Sequence, residues 1–304
     1  MNVTGLAHLA IVYVLWGSTF LAIRVAVREG SGFPPFTMAG TRVLTAGLLI
    51  LLIARLRGKR VRASRSELLI LGISGVLLWT GGNGLVTWAE QRADSGFAAL
   101  VIATVPIWVA LMESYLDRRA PSLLLVASLV TALLGVGVLS APVFTSGVRA
   151  DILSLLALGL GSLTWSAGTV LQSRRRVQLG HHASSGYQHL AGAFGFVVMS
   201  RLAAESIPSP VPEAWYAWGY LIVFGSIIGY TSYIQTLRLL PLSVATTNAF
   251  VNPVIAFILG AIVLGEEVAP TTLAGAALVM VGVAGVFRER IRLRRRALAS
   301  GNGE

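Results

Sequence analysis

The second half of this chain repeats the first, and each half carries an odd number of apolar stretches. Leu15-Trp16-Gly17-Ser18-Thr19 is echoed by Leu163-Thr164-Trp165-Ser166-Ala167. The segment 99–106, then Asp117-Arg118-Arg119-Ala120-Pro121, is echoed by 246–253, then Glu266-Glu267-Val268-Ala269-Pro270. The offset is 147 to 149 residues, half of the 304. A unit with an odd number of membrane passes, used twice in one chain, inserts the second time with the opposite orientation. The result is an inverted repeat.

The passes themselves are read from hydropathy. Ten apolar stretches lie near 6–28, 34–55, 67–90, 95–116, 122–141, 152–173, 183–203, 214–236, 243–264 and 271–288. Each is long enough to cross a bilayer core of ~30 Å. Only 12% of residues are charged, against about 25% in a soluble domain. The runs are continuous rather than alternating, which selects helices over a barrel. The expected fold class is an all-α polytopic membrane protein, ten transmembrane helices as two inverted five-helix repeats. The first repeat covers 1–145, the second 146–288, and a basic tail 289–304. Inverted repeats of this kind point to alternating access.

The net charge of +11 raises the question of nucleic acid, and its distribution answers it. Eighteen of the 24 Lys and Arg residues fall in blocks at alternate connections: 55–65, 118–119, 174–176, 238 and 288–296. The other connections hold Arg28, Arg92, Arg149 and Arg201, and Arg24 and Arg42 lie within spans. The positive-inside rule then puts both termini in the cytoplasm. The bilayer is the expected partner, with anionic lipid headgroups at the basic tail, and no nucleic acid is expected. Residues 1–7 contain no Lys or Arg, so the first span is expected to be retained rather than cleaved as a signal peptide.

Whole classes of chemistry are missing from the residues. There is no cysteine, which removes disulfides, thiolate metal sites and cysteine nucleophiles. Lys59 is the only lysine. It stands in Gly58-Lys59-Arg60, outside any P-loop pattern, and lies within no span where it could form a Schiff base. His8, His181, His182 and His189 form no His-Glu-x-x-His motif, and no Gly-x-Ser-x-Gly elbow is present. No cofactor, metal or catalytic residue is therefore expected, and the chain is not read as an enzyme.

Polar side chains in lipid turn toward the bundle interior or a water-filled path, and helical spacing shows which share a face. In the third span Trp79, Asn83, Thr87 and Glu90 form one stripe. In the sixth, Ser162, Trp165, Thr169 and Gln172 do the same. The first offers Trp16, Thr19 and Phe20, and the seventh opens with Tyr187, Gln188 and His189. The eighth offers Ser226, Tyr230 and Tyr233, and the ninth Ala245, Asn248 and Asn252. Aligned stripes on several spans describe a central cavity with aromatic walls and amide contacts; interhelical packing is the competing reading for any one residue.

Arg42 lies about eight residues inside the second span, roughly 12 Å deep at 1.5 Å per residue. A charge there costs at least ~2–3 kcal/mol if uncompensated. Two readings stay open: an ion pair with Glu90, which shares the outer half, or an anchor for an anionic group on the substrate, which suits a bidentate guanidinium. Glu90 is also the one weak candidate for coupling, because Glu113, Glu266 and Glu267 sit at span ends. Pro106 and Pro253 occupy matching places in spans four and nine. Each frees a carbonyl four residues back, at Ile102 and Ala249, and is expected to act as a hinge. The glycines, 33 in all, read as close helix contact and say nothing of substrate.

The second half contains Tyr233-Ile234-Gln235, Leu240-Pro241-Leu242-Ser243-Val244-Ala245, Asn252-Pro253-Val254, Gly265-Glu266, Gly275 and Gly282. The first contains Trp16-Gly17-Ser18 and Val105-Pro106-Ile107. Across residues 6–288 the chain resembles the ten-helix EamA-type branch of the drug/metabolite transporter superfamily. The resemblance implies two inverted five-helix repeats around a central cavity, in a bacterial cytoplasmic membrane. It also implies export of amino acids, aromatic ones among them, or of other small metabolites. Pro253 and Glu266 match the family pattern. The first repeat departs from it, with Leu116-Asp117 where the second has Gly265-Glu266.

The combined expectation is a secondary transporter exporting a small amphipathic metabolite, an amino acid with an aromatic or large apolar side chain for preference. Trp16, Trp79, Trp165, Tyr230 and Tyr233 would hold the side chain; Asn83, Asn248, Asn252 and Arg42 would meet the polar end. Export of drugs or other metabolites is the alternative, and a membrane-embedded lipid-handling protein or enzyme the distant one. One chain holds both repeats, so a monomer suffices.

Overall fold

The structure, a computed structural model, describes residues 2–93, 95–141, 151–175, 177–264 and 270–299. The acidic pair Glu266 and Glu267 falls outside them. The described residues form ten helical passes and contain no strand. The passes are Val3–Val27, Pro35–Leu56, Arg65–Ala89, Ser95–Ile102 with Val105–Asp117, and Leu123–Leu139. The second set is Ile152–Arg174, His181–Leu202, Pro212–Leu239, Leu242–Ala245 with Asn248–Leu264, and Pro270–Ala299.

Seven of these are long and apolar enough to cross a membrane by length and composition alone. Leu123–Leu139 is apolar but shorter. The seventh span is long enough, yet carries His181, His182, Ser184, Ser185, Gln188 and His189 in its first half. It belongs in the bilayer because Ser184, Ser185, Gln188 and His189 turn inward and are buried.

Local chemistry starts each pass. Asn2 accepts from the Gly5 N–H at 3.0 Å, Ser122 from Leu125 at 3.1 Å, and Asp151 from Ser154 at 2.7 Å. Ser64 and Glu67 form a reciprocal capping box. Pro35 and Pro212 open the second and eighth spans, where a missing N–H costs nothing. The tenth span runs on through the arginine block as one helix of 30 residues. At 1.5 Å per residue it is about 45 Å long, well beyond a ~30 Å core.

The two halves share an irregularity. The third span passes through π-helical turns over Val76–Asn83 and the eighth over Leu221–Tyr230. Their last residues, Asn83 and Tyr230, stand at the repeat offset of 147. Within the third, the Gly84 N–H bonds back five residues to the Trp79 carbonyl, the wider turn that defines a π-helix.

The second span packs against the seventh, and the fifth against the tenth. Gly135 and Gly275 bring the latter pair to backbone contact. Carboxylates tie the seventh span to the second at one membrane face and to the third at the other. Glu205 accepts from the N–H groups of Phe36 and Thr37 at 2.7 and 2.8 Å, capping the second span. On the opposite face Glu67 accepts from the N–H groups of Gln178 and Leu179 at 3.0 and 3.2 Å, ahead of the seventh.

The expected proline hinges hold unlike places. Pro106 begins a helix rather than kinking one: the fourth span breaks at Ala103–Thr104, and Val105–Asp117 restarts it. The Thr104 carbonyl caps the restart by accepting from Ile107 and Trp108. Pro253 does sit inside a helix, Asn248–Leu264, and the ninth span breaks six residues earlier, at Thr246–Thr247. The correction is physical. A proline is tolerated in a first turn and disruptive in an interior, so equal position in the repeat does not give equal strain.

Candidate functional site

Between the spans lies a space that gathers most of the polar stripes. It is lined from the first span by Trp16, Thr19, Phe20 and Ile23, and from the second by Arg42. The third contributes Trp79, Gly82, Asn83 and Val86, and the fourth Ile102 and Val105. The sixth contributes Gly161 and Trp165, and the ninth Asn248, Ala249 and Asn252. The space open to the centre of a water-sized sphere is about 80 Å³, where a single water takes ~10–15 Å³. The walls are mostly apolar.

Seven of the nine residues expected to meet substrate therefore face one cavity: Trp16, Arg42, Trp79, Asn83, Trp165, Asn248 and Asn252. Tyr230 and Tyr233 do not. Both are fully buried behind the wall. The Tyr233 ring lies 5.0 Å from Trp16 and 5.7 Å from Trp165, and the Tyr230 ring 4.8 Å from Trp79. Their hydroxyls are already committed, Tyr233 to Thr169 at 2.7 Å and Tyr230 to Gln188 at 3.0 Å. They form the backing of the aromatic wall, on the side of the termini. The tryptophans of three other spans stand between these rings and the cavity, an arrangement that a period along one helix does not contain.

Arg42 does not pair with Glu90. Its Nε donates to Ser226 at 2.9 Å, and its guanidinium carbon stands 5.3 Å from the Trp79 ring centroid. The Nη1 group is buried without a partner. Depth along two helices had put Arg42 and Glu90 at one height, but it carries no information on direction around the bundle. Arg42 points at the eighth span, whereas Glu90 ends the third beside the first.

Three more cavity groups share the condition of Arg42 Nη1. Trp79 Nε1, Asn83 Oδ1 and Asn252 Oδ1 are buried and have no protein hydrogen bond. Two of the four are donors and two are acceptors. A buried polar group without a partner costs ~1–3 kcal/mol, more for a charge. All four belong to residues that line the cavity.

The glycines, read as mere packing, seat this site. A Cβ at Gly82 would lie 2.8 Å from the Trp165 ring. A Cβ at Gly192, on the seventh span, would meet the Trp79 side chain. No spacing rule finds such seats, because the partner ring sits on another span.

A second polar cluster lies behind the wall and is fully satisfied. The Gln188 amide donates to Ser74 at 2.7 Å and to Gln172 at 2.8 Å, and accepts from Tyr230. Toward the termini the fourth span is held by Arg174–Asp117 at 2.7 Å, while Arg290 bonds Ser243 on the ninth at 2.6 Å. Among the described residues no group of three or more His, Asp or Glu side chains could hold a metal.

Comparison with known proteins places this architecture. Residues 3–141 and 152–288 each match the model of the EamA-like transporter family. The chain is 36% identical over 256 residues to the uncharacterized inner membrane transporter YedA of Escherichia coli (strain K12), covering 84% of this chain and 81% of that one. It is 23% identical over 305 residues to a probable terminal-alkyne amino-acid exporter of Streptantibioticus cattleyicolor, covering 96% of each. A solved crystal structure with 20% identity superposes at a TM-score of 0.79, covering 96% of this chain and 99% of that one, and so shares the fold.

Proposed function

The chain belongs to the EamA-like transporter family, and on that premise we propose that it exports a small zwitterionic metabolite by alternating access. The preferred substrate is an amino acid with an aromatic or large apolar side chain. The observation that carries this reading is the set of four unpartnered atoms in an otherwise apolar, tryptophan-walled cavity. Arg42 Nη1 and Trp79 Nε1 offer donors to a carboxylate. Asn83 Oδ1 and Asn252 Oδ1 offer acceptors to an ammonium group. An anion alone would leave the acceptors unsatisfied, and a cation alone would face Arg42. A zwitterion with an apolar side chain satisfies both ends and fills the space between Trp16 and Trp165, whose rings stand 5.4 Å apart.

Two further points support it. One relative carries the name of an amino-acid exporter. The arginine blocks at 55–65, 118–119, 174–176 and 288–296 favour termini in the cytoplasm of a bacterial cell, by the positive-inside rule.

Counterflow in proteoliposomes tests the reading. Vesicles are loaded with unlabelled tryptophan, phenylalanine, threonine or a sugar, and uptake of the labelled compound is followed with no ion gradient. Saturable accumulation with aromatic or large apolar amino acids, lost in Trp79→Ala and Asn83→Ala chains that still fold, is the expected result. Normal flux in both variants would remove these residues from the path. Counterflow with the sugar alone would overturn the amino-acid reading.

A further inference from the structure

Beyond the cavity, on the face opposite the termini, lies a second space, and a buried carboxyl stands between the two. A vestibule opens there between the first–second and seventh–eighth connections, lined by Val27, Phe36, Trp88, Gln91 and Glu205 among others. Ile23 and Val86 line the cavity. One turn further along the same two helices, Val27 and Gln91 line the vestibule. Between the two spaces stand Arg24 on the first span and Glu90 at the end of the third. Arg24 Nη1 donates to the backbone carbonyls of Glu90 at 2.8 Å and Ala93 at 2.6 Å. This clamp holds the end of the third span against the first.

The Glu90 side chain itself is out of contact with solvent, and neither of its carboxyl oxygens has a hydrogen-bond partner. Removing an ionised carboxylate from water without a partner costs far more than burying the neutral acid. We infer that Glu90 is a proton-binding site that controls this gate: with its proton the gate is shut as seen here, and without it the gate opens. On release, the proton passes to vestibule water, and the carboxylate left behind must either be hydrated or draw the Arg24 guanidinium off the Glu90 and Ala93 carbonyls. The second move breaks the clamp; the first admits water between the cavity and the vestibule beside it.

Charged groups on the packed elements leave this assignment to Glu90. The end of the third span packs against the first, second and sixth spans and its own π-helical turns. The first presents Arg24. The second presents Arg42, which is turned toward Ser226. The sixth presents Asp151, 3.6 Å from Arg92, and the π-helical segment presents no charge. Asp94 lies outside the described residues.

The inference rests on the transporter reading but not on the amino-acid reading, and its test uses no substrate. Because the chain has no cysteine, one introduced thiol reports alone. Ile23→Cys places it beneath the gate, and Arg201→Cys places one on the exposed surface of the same face. Both are labelled with a membrane-impermeant maleimide in sealed vesicles of the sidedness at which Arg201→Cys reacts. The ratio of the two rates removes the thiolate dependence the two sites share, and the Glu90→Gln background carries the part left by burial of the thiol that Ile23→Cys introduces. It is expected to rise with pH, by up to about tenfold per pH unit, the limit for one proton. In a Glu90→Gln background the ratio stays at the low-pH value throughout, and Glu90→Asp restores the rise. A ratio that does not change with pH in the parent chain, or that rises equally with Gln at 90, overturns the proposal. A Gln variant that fails to fold leaves the decision to the parent and Asp titrations.

Discussion

Two polar regions lie side by side in the middle of this molecule, and they differ in one respect. The Gln188 amide itself is fully used: Ser74, Gln172 and Tyr230 close the network, although His189 Nε2 beside it has no partner. Around the cavity, Arg42, Trp79, Asn83 and Asn252 each hold an atom with no partner. Both regions are buried, both are rich in amides, and both face aromatic rings. Polarity inside a membrane protein therefore does not mark a site by itself. The two differ in how far their hydrogen bonds are complete. A complete network rigidifies the seventh, third, sixth and eighth spans against one another. The incomplete one is where the proposed substrate would bind.

This difference can be broken by substitution. The largest effect belongs to the satisfied side. Gln188→Ala strands Tyr230, Ser74 and Gln172 at once, and at ~1–3 kcal/mol per stranded group costs about 3 kcal/mol or more. Melting in detergent should show it as a clear drop, with flux falling only as folded protein is lost. Arg42→Met is next and has the opposite signature. It removes a charge-assisted bond to substrate, about 2–3 kcal/mol or roughly 100-fold in transport. Melting should hold or rise, since a partly unpaired buried charge has gone. A drop in melting matching that of Gln188→Ala would erase the distinction.

Smaller changes sharpen it. Asn83→Ala and Asn252→Ala should each weaken half-saturation in counterflow by about tenfold, ~1.4 kcal/mol, with melting unchanged. Tyr233→Phe removes only the bond to Thr169 and should cost about 1 kcal/mol of stability. Transport per folded molecule should stay near the parent value, because Tyr233 backs the wall and does not face the cavity. A large loss of affinity in that variant would return Tyr233 to the site.

The ten passes and the half-chain repeat were readable because apolar length is a property of the chain alone. So were Trp16, Asn83, Trp165 and Asn252, since a helical period selects faces. Three things were not readable. Tyr230 and Tyr233 stand behind tryptophans contributed by other spans, which a period along one helix does not contain. The direction of Arg42 around the bundle depends on what surrounds it, and depth along a helix is silent on that. The seats at Gly82 and Gly192, and the clamp of Arg24 on the Glu90 and Ala93 carbonyls, join residues distant in the chain.

The pairing of the fifth span with the tenth has a consequence for how the molecule is made. The face of the fifth that carries Gly135 has its backbone-close partner at Gly275, in the tenth span. When the first half leaves the ribosome, that face has no protein partner until the tenth span has been translated. Each half is thus an unfinished surface, completed only by the other. A nascent chain halted between the repeats is an object for the membrane quality-control proteases, and the two halves are bound to be inherited, expressed and degraded together.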